Sequence, residues 1–145
     1  MLEPALFRED AMIDKQTALI YTMVLMSAAD RHMTDSELGH IGLIVNDLPV
    51  FEGFDYDSLP RIAGECAELL QDENGLDRAL ESIKAALPPS LRETAYAVAC
   101  DIAAADAAIS QEELRLLEMM RDHLEIERLV AAAIERGSRA RHATT

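Results

Sequence analysis

The feature that most constrains this chain is a run of twelve uncharged residues, Ala18 to Ala29. The run ends at Asp30, and it has no clean polar face, which is expected of a helix buried on most of its sides. It is too short to cross a bilayer, which takes ~20 apolar residues. We therefore predict that a helix from Asp14 to Ala29 forms the centre of an all-α domain.

Turn and capping signals divide the rest of the chain into further helices. Three Ser/Thr-x-x-Glu sequences match the capping box, in which each side chain bonds the other residue's backbone N–H. They are Thr34 to Glu37, Ser90 to Glu93 and Ser110 to Glu113. The pattern predicts a compact bundle of about seven helices in a single domain, 1–137. Its last helix would end at Gly137, a typical C′ residue, and leave 138–145 as a disordered polar tail.

The two halves of the chain resemble each other when they are aligned with a shift of 76 residues. The shift places Asp30 on Asp106 and Glu37 on Glu113. Further identities or like-for-like exchanges pair Ala28-Ala29 with Ala104-Ala105, Ile41 with Leu117, Ile44 with Met120 and Leu48 with Leu124. We interpret the fold as an internal duplication with a pseudo-twofold axis, in which the first and fifth helices pack at the centre.

On these residues the chain resembles the TerB family of tellurite-resistance-associated proteins. The resemblance rests on Ala29-Asp30…Glu37-Leu38, on Ala105-Asp106…Glu113-Leu114 and on the helical repeat around them. It covers about 14–136 and implies an all-α cytoplasmic domain linked to tellurite and other chemical stress. It also implies that the repeated acids form a metal site, and that the protein works beside membrane-associated protein partners.

The candidate metal ligands are two aspartates and two glutamates. Asp30 and Glu37 flank one turn, and Asp106 and Glu113 flank the other. If the halves face each other, these four carboxylates converge, and divalent cations such as Ca²⁺ or Mg²⁺ take oxygen ligands of this kind. The alternative is structural, since both glutamates occupy the capping-box position and both aspartates can accept N–H bonds in a turn.

A second candidate site is the irregular segment 50–57, which holds half of the aromatic residues. Phe51, Phe54 and Tyr56 would either close one end of the bundle or bind a protein partner, since loops often carry function. The segment therefore supports an alternative function, a metal-free protein-interaction module.

Charge and cysteine content narrow the classes of partner and compartment. The formal net charge is −14, so the surface should repel nucleic acid and anionic lipid, while it favours cations, a basic partner or simply solubility. Cys66 and Cys100 belong to no zinc or redox motif, so we expect buried, reduced thiols. No signal peptide is visible in the acidic start of the chain, and we predict a cytoplasmic protein.

No motif for catalysis stands out. The chain has no Gly-rich phosphate loop and no Ser/His/Asp order on which to build an active site. Asp101 interrupts an apolar helix and is expected to face solvent or pair with an arginine. We predict a non-catalytic protein that binds divalent cations or a protein partner through its acidic face, as a monomer or a homodimer.

Overall fold

The computed structural model describes residues 13–29, 34–105 and 109–145. Seven α-helices and two short 3₁₀ turns account for most of them, and none of these residues forms a strand. The helices are α1 (Lys15–Ala28), α2 (Asp35–Asp47), α3 (Leu59–Leu69), α4 (Gly75–Ala86), α5 (Pro89–Ala104), α6 (Gln111–His123) and α7 (Arg128–His142). The predicted all-α bundle is therefore confirmed.

Helix α1 is the centre of the bundle, as its sequence predicts. Asp14 caps it by accepting a hydrogen bond from the Thr17 N–H at 2.8 Å. Every residue from Ala18 to Ser27 is buried. Among the described helices, α1 and α5 share the most extensive contact, and α1 also packs against α3 and α4. Alanines Ala95, Ala99 and Ala103 of α5 are fully buried, and their small side chains permit this close approach.

Two of the predicted helix boundaries are wrong. Helix α5 begins at Pro89 with Pro88 as its N-cap, so Ser90 lies inside the helix and makes no capping box. Proline suits the first helical position because the N–H that it lacks has no partner there anyway. Helix α7 continues through Gly137 to His142, so residues 138–142 are helical and are not a loose tail.

Contacts with α5 explain why α7 does not stop at Gly137. Asp101 Oδ1 accepts a hydrogen bond from Ser138 Oγ at 2.9 Å and a charge-assisted bond from Arg141 Nη2 at 2.6 Å. The expected pairing of Asp101 with an arginine is thus confirmed. These bonds order the last helical turn, which the local preference of glycine for a helix end does not anticipate.

No helix among the described residues combines the length and the apolar character that crossing a membrane requires.

Candidate functional site

A small cleft lies where the ends of α1 and α5 meet the first turns of α2 and α6. Its volume is about 170 Å³. Both predicted glutamates line it, Glu37 from α2 and Glu113 from α6. The cleft is completed by Ser27, Ser36, His40, Ile102 and Ala105. The two helix starts that the sequence aligns thus contribute one carboxylate each to the same depression.

Glu37 performs the capping role that its sequence position predicts. Its Oε1 accepts hydrogen bonds from the Thr34 N–H at 2.8 Å and from Thr34 Oγ1 at 3.3 Å. In return, the Glu37 N–H donates to Thr34 Oγ1 at 3.1 Å. The side chain is half-buried, so this capping box lies at the solvent edge of the cleft.

Glu113 makes the same capping box in a drier environment. Its Oε1 accepts from the Ser110 N–H at 2.9 Å, and its own N–H donates to Ser110 Oγ at 3.0 Å. Glu113 is only 3% exposed. A buried carboxylate is costly unless hydrogen bonds or a cation compensate its charge, and the capping bonds supply part of that compensation.

Ser27 is a polar group in this cleft that sequence reasoning missed. Its Oγ is buried and has no hydrogen-bond partner among the residues that the structure describes. Leaving a buried hydroxyl unsatisfied costs about 1–3 kcal/mol, so such a group calls for an explanation. The only signal in the sequence was a serine near the end of an otherwise mostly apolar run.

The cleft brings together only part of the predicted metal site. Asp30 and Asp106 lie outside the described residues, and so does His32. Within the described ranges, no three His, Cys, Asp or Glu side chains form a group that could hold a metal ion. Glu37, His40 and Glu113 therefore line one cleft without forming a ready-made coordination site on their own.

The aromatic segment divides into a buried part and an exposed part. Phe51 is 4% exposed and belongs to the core, where its ring packs edge-on against Phe54 with 5.6 Å between centroids. Tyr56 is 50% exposed. All three side chains line a hollow of about 480 Å³ beside the end of α2. Phe54 and Tyr56 are thus the members of the predicted partner site that a partner could reach.

Comparisons with known proteins place the chain in a family. Searches of curated proteins and of solved structures find no match. The family model described as "Tellurite resistance protein TerB" matches residues 16–135, which is most of the chain and includes every described residue that lines the cleft.

Proposed function

Because the chain belongs to the TerB family of tellurite resistance proteins, we propose that it acts in tellurite resistance by binding a divalent cation in the cleft between α2 and α6. The observation that carries the proposal is the convergence of Glu37 and Glu113 from two separate helix starts on one cleft. The protein is proposed to be cytoplasmic and non-catalytic.

The donor chemistry of the cleft suits a hard or borderline divalent cation. Carboxylate oxygens are the usual ligands of Ca²⁺, Mg²⁺ and Mn²⁺, and an imidazole such as that of His40 extends the range to Zn²⁺. The unpartnered Ser27 hydroxyl would gain a partner in a cation or in its bound water. Asp30 follows Ser27 by three residues and Asp106 directly follows Ala105 in the sequence, and both are proposed to complete the ligand set.

Calorimetric titration of the full chain with Ca²⁺, Mg²⁺, Mn²⁺ and Zn²⁺ tests the proposal. We expect at least one cation to bind more tightly than millimolar, and elemental analysis of the purified protein to lose that metal after treatment with a chelator. Absence of sub-millimolar binding for all four cations would reject a cation site.

Substitution of the capping glutamates by glutamine separates the structural role from the binding role. Glutamine also serves at the third position of a capping box, so Glu37→Gln and Glu113→Gln keep the hydrogen bonds and remove the charge. We expect each to weaken cation binding at least tenfold while the helices remain folded. Glu112→Gln is the matched control, since Glu112 lies in the same first turn of α6 but is exposed. Equal binding by all three variants would assign the glutamates to capping alone.

The alternative function, a metal-free interaction module, is favoured by the exposure of Tyr56 and by the hollow beside it. Under this alternative, Phe54→Ala and Tyr56→Ala abolish capture of a protein partner, whereas Asp30→Asn and Asp106→Asn leave it unchanged. Under the cation proposal, the aspartate variants lose metal and the aromatic variants retain it. The same four proteins therefore discriminate the two functions.

A further inference from the structure

A second cavity lies beside a different part of the α6 surface, lined by Leu114, Leu117, Glu118 and Arg121. It opens between α5, α6 and α7 and has a volume of about 300 Å³. That size is at the lower end of the range for small-molecule sites, ~300–1,000 Å³. Neither capping glutamate lines it, so it is independent of the proposed cation site.

The walls of this cavity are mainly apolar. Tyr96, Cys100 and Ala103 of α5 are buried and supply one wall. Two large apolar side chains on its other side are unusually exposed, Ile109 at 41% and Leu114 at 44%. The lining is completed by Ala104, Leu117, Glu118, Arg121, Glu135, Ser138 and Arg139. Covering these apolar side chains with a ligand body would be favourable, at ~25 cal/mol for each Å² of apolar surface removed from water.

Most of the charged groups around the cavity already have partners. Glu118 pairs with Arg115 at 3.5 Å. Glu135 accepts a hydrogen bond from Tyr96 Oη at 2.5 Å and pairs with Arg121 at 3.6 Å. These contacts neutralise both carboxylates of the lining.

Arg139 is the exception. It is exposed at the cavity, and within the described part of the chain it makes no hydrogen bond or ion pair. Among the described lining residues, the uncompensated charge is therefore positive, although the whole chain carries −14. Arginine matches the planar geometry of a carboxylate and can bind it through two parallel hydrogen bonds.

We propose that this cavity binds a small anionic amphiphile, an apolar chain or ring that carries one carboxylate or sulfonate. Its apolar body packs against Cys100, Ala103 and Leu114, and its anionic head pairs with Arg139. A free molecule fits better than an anionic membrane surface, because the acidic chain as a whole is repelled by anionic lipid. The concave shape between three helices also favours a small ligand over a flat protein surface.

Fluorescence titration of the full chain with 1-anilinonaphthalene-8-sulfonate tests the proposal, with displacement by decanoate as the second step. The neutral analogue N-phenyl-1-naphthylamine, which lacks the sulfonate, and decanol, which lacks the carboxylate, are the matched control ligands. We expect saturable binding of the anionic probe, displacement by decanoate and at least tenfold weaker competition by decanol. A near-ultraviolet dichroism spectrum confirms that the probe reports on folded protein, since molten states also bind it.

Two variants locate the site. Arg139→Gln removes the positive charge, and we expect about tenfold weaker binding of the anionic probe with little change for the neutral one. Arg136→Gln is the control, because Arg136 is exposed on the same helix but does not line the cavity. Ala104→Phe fills the cavity from the half-buried edge of α5 and should abolish binding of both probes.

Three results would overturn the proposal. They are unchanged affinity in Arg139→Gln, equal affinity for the neutral and the anionic ligands, and retained binding in Ala104→Phe. Binding that appears only with phosphatidylglycerol vesicles, and not with free decanoate, would also reject it in favour of a membrane contact. None of these results bears on the cation titration, since the two sites share no residue.

Discussion

Helices α2 and α6 have nearly the same local structure but bury different faces. Each is 13 residues long and begins with a complete capping box. The buried residues of α2 are Ile41, Gly42 and Val45, whereas those of α6 are Glu113, Leu116 and Met120. Under the 76-residue shift, the α6 set corresponds to positions 37, 40 and 44 of α2. The buried face is thus displaced by about one residue, which is roughly 100° around a helix.

This rotation explains why the two capping glutamates are buried to different extents. On α6 the capping position belongs to the buried face, so Glu113 is almost completely enclosed. On α2 the same position lies at the edge, and Glu37 is half-buried. His40 is half-buried where its counterpart Leu116 is in the core. The local sequence therefore specifies the capping box, while tertiary packing determines how far its carboxylate is buried from solvent.

The segment after each helix suggests a physical reason for the rotation. An eleven-residue connection between α2 and α3 brings Tyr56 Oη against Gly42, and no Cβ fits there without moving the ring. The position of Gly42 corresponds to Glu118 of α6, which lines the second cavity. The connection from α6 to α7 is shorter and supplies no such cover.

The largest expected difference between the two helices concerns Met120 and its counterpart Ile44. Met120 is fully buried, so Met120→Ala should lower the free energy of unfolding by about 2–5 kcal/mol. Ile44 is half-buried, and Ile44→Ala should cost about 1 kcal/mol. Urea unfolding measures both. Equal costs would show that the two helices bury the same face in solution.

A smaller effect is expected at Gly42. Gly42→Ala should cost about 1 kcal/mol in the natural sequence because its Cβ displaces Tyr56. In a Tyr56→Ala background the same change should be neutral or stabilise by up to about 1 kcal/mol, since alanine is the better helix former. Gly39→Ala is the control, because nothing lies within 4 Å of its Cβ, and it should stabilise both backgrounds equally. Additive effects of Gly42→Ala and Tyr56→Ala would contradict the proposed contact.

The stability lost on removing the capping hydroxyl should differ less between the two capping boxes. Ser110→Ala is expected to cost about 1–2 kcal/mol and Thr34→Ala about 0.5–1 kcal/mol. The box at Ser110 is partly buried, so the Glu113 N–H finds no replacement partner, whereas water can replace Thr34 in its exposed box. Thermal unfolding of both variants provides the measurement, and a larger loss for Thr34→Ala would be inconsistent with the burial described.

The two cysteines give a comparison by chemical reactivity. Burial raises the pKa of both the Cys66 and the Cys100 thiols to about 12. Both should therefore react much more slowly with methyl methanethiosulfonate at pH 8 than they do in the unfolded chain. Cys100 lines the second cavity and is 5% exposed, while Cys66 is fully buried, so we expect Cys100 to react a few-fold faster. Mass spectrometry of the labelled peptides decides, and faster labelling of Cys66 would argue against an open cavity.

The same two thiols should change the stability of the fold least at neutral pH and measurably in alkali. Their folded-state pKa lies above the ordinary value of 9.0, so the folded chain holds protons that the unfolded chain releases. The stability that they contribute is complete below about pH 9 and is lost as the pH rises towards 12. Thermal unfolding between pH 8 and 11 should show a shallower decline in Cys66→Ala than in the natural sequence.

The sequence predicts the helices of this fold well because their signals are local. The uncharged run of α1, the boxes at Thr34 and Ser110 and the proline that begins α5 act within a few residues. The end of α7 was not predictable in this way. It depends on Asp101, which lies 37 and 40 residues from its partners Ser138 and Arg141.

The candidate site was predictable only in outline. The repeat predicted that Glu37 and Glu113 would approach one location, and they line the same cleft. It did not predict that the buried face of α6 is rotated relative to that of α2. Leucine and isoleucine align in the two halves whether or not they face the core, so the alignment carries no information about which face is buried. The contribution of Ser27 was equally hidden, because an unsatisfied hydroxyl is a property of packing and not of residue type.

The anchoring of α7 through Asp101 also fixes where opposite charges lie on the molecule. Helix α7 carries four arginines and a single glutamate, in a chain with 27 acidic residues. Because the last turn is held to α5, this positive end keeps a constant orientation relative to the acidic remainder. The described helices therefore carry their charge asymmetrically, and at low ionic strength an approaching charged molecule will be turned by this uneven field before any contact forms.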